Sequence, residues 1–125
     1  MEWFNLVCDL LVPLIMIGLG WSFMKKPPKN INSLYGYRTS MSMKNQDTWE
    51  FAHRICGRVW CVVGCAMLPL AVLAWTRTRS YSVDEAAVWN DGIEALEAVA
   101  LLVTIIPVEW ALKRNFDKNG VRRQA

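Results

Sequence analysis

The stretch WFNLVCDLLVPLIMIGLGWSFM, Trp3 to Met24, carries one charged side chain, Asp9, in 22 residues. The hydrocarbon core of a bilayer is about 30 Å thick, and a helix of about 20 apolar residues crosses it. The stretch therefore reads as a membrane span. Two more follow. Ile55–Thr76 holds only Arg58 in 22 residues, and Ile93–Leu112 holds Glu94, Glu97 and Glu109 in 20. The three segments take up half of the 125-residue chain. Overall composition, 54% apolar and 20% charged, would also suit a soluble domain. It is the segregation of the two classes that excludes a soluble globule, a nucleic-acid module and a disulfide-stapled secreted domain. The first segment starts Met1-Glu2-Trp3, without a basic n-region, and no Ala-x-Ala site follows it. It reads as a retained span and not as a cleaved signal peptide. The expectation is an all-α, multi-pass membrane protein. It is one domain over residues 1–125, with spans at about 3–24, 55–76 and 93–112 and a loop over 25–54.

The charges orient it. With three spans, the loop Lys25–Arg54 and the tail from Lys113 share one side and carry 11 basic residues. The N-terminus and the loop Arg77–Gly92 share the other, with Arg77 and Arg79 alone. The positive-inside rule then puts the N-terminus outside and the C-terminus and long loop in the cytoplasm. Trp3, Trp75 and Trp89 fall near the outer interface, and Trp21 and Trp110 near the inner one, as an aromatic belt requires. Pro27-Pro28 should end the first helix. Asn45 suits the N-cap of a helix running into the second span. Ser82, with Glu85 three residues on, is a capping box that starts the third helix at Val83. Pro107 should kink that helix near its cytoplasmic end.

A helical wheel sorts the faces. Asp84, Asp91, Glu94, Glu97 and Glu109 lie within about 80° of Glu94. Leu96, Val99, Val103, Ile106 and Trp110 lie opposite and should meet lipid. On the second helix, Asp47, Glu50, Arg58, Cys61 and Cys65 lie within about 40° of Arg54, with Trp49, Cys56 and Trp60 opposite. Gly57, Cys61 and Gly64 form a small-residue strip suited to close helix approach, and a homodimer is expected through it. Arg58 and Glu109 both lie about 5 Å inside the cytoplasmic boundary, so Glu109 is expected to pair with Arg58 or Arg54. Asp9, Glu94 and Glu97 sit in the outer leaflet with no cation at their depth. Either Arg77 or Arg79 folds back to them, or they take a proton or a ligand. These three form the candidate intramembrane acidic site. The four cysteines contain no C-x-x-C pair and are expected as free thiols.

The loop is the densest stretch: GYRTSMSMKNQDTWEFAHRICGRVW, Gly36 to Trp60. Gly36, between two tyrosines, permits a tight turn. The planar fork of Arg38 suits a carboxylate or a lipid phosphate. Thr39, Ser40 and Ser42 can bond local backbone. His53 is expected to be structural, bonding the loop backbone. This stretch resembles the SdpI family of bacterial membrane proteins. The family pattern runs Asn, Gly-x-Arg-Thr, a Ser/Thr-rich stretch, Asn or Ser, Trp, then His-Arg-x-x-Gly-Lys/Arg-x-Trp. Asn30 or Asn32 matches the leading Asn. Gly36, Arg38, Thr39, Ser42, Asn45, Trp49, His53, Arg54, Gly57, Arg58 and Trp60 match the rest. Ser40-Met41 departs from the Pro-Trp that often follows the Arg-Thr pair. The candidate partner- or lipid-binding set is Asn32, Gly36, Tyr37, Arg38, Thr39, Ser42, Asn45, Trp49, His53, Arg54 and Arg58.

The resemblance implies a bacterial plasma-membrane protein that gives immunity to, or signals, a secreted antimicrobial peptide. No Ser/His/Asp set, phosphate loop or metal quartet appears, so binding without turnover is expected, with no cofactor and no metal. The partners expected are membrane lipids, a cationic or membrane-active peptide, a cytoplasmic regulator and a second copy of the chain, and no nucleic acid. Two alternatives stand beside this reading. One is a small oligomeric transporter or channel using the acidic face of the third helix. The other is a structural subunit of a membrane complex.

Overall fold

The computed structural model describes residues 2–123. Four helices follow in order: α1 (Glu2–Lys25), α2 (Gln46–Thr78), α3 (Val83–Val103) and α4 (Ile105–Asn115). Three helical stretches, Trp3–Lys25, Gln46–Thr78 and Val83–Asn115, are long and apolar enough to cross a membrane. The described residues contain no strand, only an isolated bridge between Phe116 and Arg122. The end where α1 stops, α2 starts and α4 stops carries the Gly36–Trp60 stretch and is called the motif end. The opposite end, with the start of α1 and the α2–α3 turn, is the far end.

Local chemistry accounts for the boundaries. Asn45 caps α2 in a reciprocal box: its side chain accepts from Thr48 N–H at 2.9 Å, and Thr48 Oγ1 accepts from Asn45 N–H at 3.0 Å. Ser82 caps α3, accepting from Glu85 N–H at 3.2 Å. The third span is broken at Thr104, three residues before Pro107. Pro107 has no N–H to bond the Val103 carbonyl, and its ring crowds that carbonyl. The helix therefore stops at Val103 and restarts as α4.

Packing is uneven. α1 and α2 meet along most of their length, where a side chain would not fit. A Cβ on Gly20 would lie 2.8 Å from the Gly57 carbonyl oxygen, and one on Gly64 would lie 2.8 Å from that of Pro13. The Gly57–Gly64 strip is thus filled by α1, which corrects the expectation of a homodimer through it. Gly20, which the periodicity reading passed over, is the matching half. The core lies at the motif end, where Phe23, Tyr37, Ala52, Cys56, Val108, Leu112 and Phe116 pack together. α3 packs lightly against α1 and α2, and the one buried residue of α3 is Glu97. Leu96, Val99, Val103, Ile106 and Trp110 are all exposed. A water-soluble chain would not leave such a face open, whereas a bilayer covers it.

Candidate functional site

Two places gather polar groups. At the motif end the loop folds inward as a hydrogen-bonded knot. Asn32 Oδ1 accepts from the Leu34 and Tyr35 amides at 2.9 and 2.7 Å, which turns the chain toward Gly36. Gly36 has φ +115°, and a Cβ there would lie 2.5 Å from His53 Nε2. Only glycine meets both conditions without strain. The next amide, Tyr37 N–H, donates to His53 Nε2 at 2.8 Å. A backbone amide can only donate, so Nε2 is the acceptor and the ring proton sits on Nδ1, 2.7 Å from the Trp49 carbonyl. The imidazole is therefore neutral, and both nitrogens are used.

The rest of the knot follows the same pattern. Ser42 Oγ donates to the Tyr37 carbonyl at 2.9 Å and accepts from Thr39 N–H at 2.8 Å. Thr48 Oγ1 reaches the Ser42 carbonyl at 3.1 Å. Trp49 Nε1 closes the loop onto the Pro28 carbonyl at 2.7 Å. Ser42, Thr48, Trp49 and His53 are wholly buried. Buried polar groups cost little once paired, and these pairs specify one loop conformation. Asn45 Nδ2 also donates to the Gly120 carbonyl at 2.6 Å, and Arg122 forms an ion pair with Asp47 at 2.7 Å, so the tail seals the knot. Nothing in the local sequence pattern pointed to this tail contact.

The expected pairing of Glu109 with Arg58 or Arg54 is corrected. Glu109 Oε1 instead accepts from Tyr37 Oη at 2.8 Å. Among the described residues the ion pair found is Arg122–Asp47. Depth along the helices matched, but rotation did not. Trp60 Nε1 donates to Thr104 Oγ1 at 3.1 Å, so the Trp60 face of α2 is the one turned to the third span. Arg58 lies on the opposite face, exposed, and Arg54 donates to the Met24 carbonyl at 3.1 Å. Burial, first, and the Glu109 carboxylate beside it hold the Tyr37 phenol above the ordinary tyrosine range. Arg38 is exposed, and its guanidinium donates to the Ser33 carbonyl.

The second place lies toward the far end. Asp9 of α1 and Glu97 of α3 are only 2% and 4% exposed. Each has a carboxylate oxygen, Asp9 Oδ1 and Glu97 Oε2, with no hydrogen-bond partner. Pro13 also lacks the N–H that would bond the Asp9 carbonyl within α1. Glu94 is near enough to act on both acids electrostatically, but it is exposed and accepts from Asn90 Nδ2 at 3.2 Å. The expected trio is thus a buried pair with an exposed neighbour. Arg79 stacks on the Trp75 ring at 5.0 Å and forms no ion pair with them. A groove of about 340 Å³ lies between α2 and α3 on the Glu97 side of the pair. Met67, Leu70, Ala71, Ala74, Ile93, Leu96 and Ala100 line it, with Glu97 as the one ionisable member. Among the described residues no three His, Cys, Asp or Glu side chains form a metal site. The four cysteines are free thiols.

Three membrane-length helices, a sealed polar knot at one end and a buried acid pair toward the other define a small multi-pass membrane protein. The sequence profile of the SdpI/YfhL protein family matches residues 29–109, more than half of the chain. The protein belongs to the SdpI/YfhL family. It is also 37% identical over 59 residues to the uncharacterized protein YfhL of Bacillus subtilis (strain 168), a match covering 47% of this chain and 54% of that protein. The chain thus aligns with about half the length of that relative. No solved structure matches it.

Proposed function

We propose that the protein acts in the bacterial plasma membrane as an SdpI-like immunity or signalling protein, binding a secreted cationic or membrane-active peptide without catalysis. The observation that carries this is the acid pair. Asp9 and Glu97 are buried, each with an oxygen unpaired, and Glu97 lines an apolar groove between α2 and α3. A buried carboxylate without a partner is costly, and a positively charged group arriving with an apolar body removes that cost. An amphipathic cationic peptide combines both properties. The basic-residue count, 11 against 2, supports an orientation with the N-terminus outside, so the acid pair faces the side from which a secreted peptide arrives. The motif end then lies in the cytoplasm, where exposed Arg38 is the member of the knot left for a regulator.

The test is survival of a peptide-challenged strain carrying Asp9→Asn/Glu97→Gln, with membrane abundance checked by quantitative blotting. Protection should be lost at unchanged abundance. Full protection by the double variant would refute the acid-pair reading.

A further inference from the structure

We infer that the groove between the end of α1 and the start of α2 is a binding site for the phosphate headgroup of an anionic membrane lipid. It lies at the motif end, apart from the acid pair, and does not rest on the proposed function.

Trp21, Met24, Lys25, Arg54 and Arg58 line a cavity of about 230 Å³. Three of the five are basic and none is acidic. The ion pair found among the described residues, Arg122–Asp47, is elsewhere. Among the described residues the guanidinium of Arg58 has no hydrogen-bond or ionic partner. Arg54 spends one N–H on the Met24 carbonyl at 3.1 Å and keeps the rest of its fork free. Lys25 Nζ lies over the Trp21 ring, 4.9 Å from its centre. Three like charges around one cavity repel one another unless an anion sits between them. Among the described residues no carboxylate supplies it.

The anion on hand at a helix end in a membrane is a lipid phosphate, and an arginine fork fits phosphate oxygens two at a time. Basic pockets between membrane helices hold anionic headgroups in this way. The surroundings favour a lipid over a free ion. Trp21 is of the type that sits at headgroup level. Further along the same ridges, Leu14 of α1 and Val62 of α2 are 52% and 70% exposed and offer acyl chains an apolar track.

The experiment uses the full chain in phosphatidylcholine vesicles doped with phosphatidylglycerol, extracted gently and read by native mass spectrometry. The wild type should retain one phosphatidylglycerol in preference to phosphatidylcholine. Arg58→Gln, which loses no partner among the described residues, should cut that retention about fivefold, and Arg54→Gln/Arg58→Gln further. Arg77→Gln/Arg79→Gln, at the far end, should leave it unchanged. Equal retention of the two lipids, or undiminished retention by the Arg54→Gln/Arg58→Gln variant, overturns the inference. Displacement of the lipid by inorganic phosphate in the wash overturns it too, since the site would then take the free ion.

Discussion

The two ends of the molecule bury polar side chains in opposite ways. At the motif end His53, Ser42, Thr48 and Trp49 are sealed from solvent with their hydrogen bonds made. Toward the far end Asp9 and Glu97 are equally sealed, and each leaves an oxygen open. A satisfied buried group stabilises a conformation, while an unsatisfied one costs free energy until something binds. The buried part of the motif therefore holds the fold, and the two acids differ from it in having bonds left to make.

The strongest way to break this comparison is to open the knot. Trp49→Ala removes a fully buried indole and the bond to Pro28, and should cost about 3–5 kcal/mol of stability. Thermal melts in detergent micelles measure it, and a loss near zero would mean the knot does not hold the fold.

Tyr37→Phe is milder. It removes the phenol–Glu109 bond, at about 1–2 kcal/mol. It also carries a pH signature. The folded phenol is held above its ordinary range, whereas the unfolded one ionises near pH 10. The stabilisation is therefore complete below about pH 10 and falls as pH rises past it. The difference between wild-type and variant melts should shrink in alkali, and a constant difference would argue against a buried, protonated phenol.

The smallest expected effect sharpens the contrast most. Asp9→Asn/Glu97→Gln removes two buried acids without removing paired bonds, so stability should hold within about 1 kcal/mol or rise. The same melts report it. A loss as large as that of Tyr37→Phe would mean that the acids are structural after all.

Much of this was legible from residues close together in the chain. The three spans, both N-caps, the break before Pro107 and the exposed apolar face of α3 each follow from a local pattern, whether hydropathy, a capping side chain, a missing N–H or a helical period. What escaped was relational. Depth along a helix can be counted, which made Arg58 and Glu109 look matched. The rotation of α2 about its axis is set by contacts far apart in sequence, such as Gly20 with Gly57 and Trp60 with Thr104. Those contacts turn Arg58 away from the third span. On the acidic face of α3, Glu94 stays exposed, and only Glu97 turns inward toward Asp9. The tail contacts of Gly120 and Arg122 left no local sign, since a carbonyl oxygen is available at every residue and an arginine near a terminus is common.

The tail contact also bears on the order of assembly during synthesis. Asn45 and its partner Gly120 are 75 residues apart, as are Asp47 and Arg122. The ribosome makes the chain in one direction, so α1, the loop and α2 emerge long before the residues that seal them. The start of α2 must wait, held only by its own Asn45–Thr48 capping box, until the last span has been inserted and the tail has returned to it. Closure of the motif end is thus a late step, and it reports that the whole bundle has been threaded.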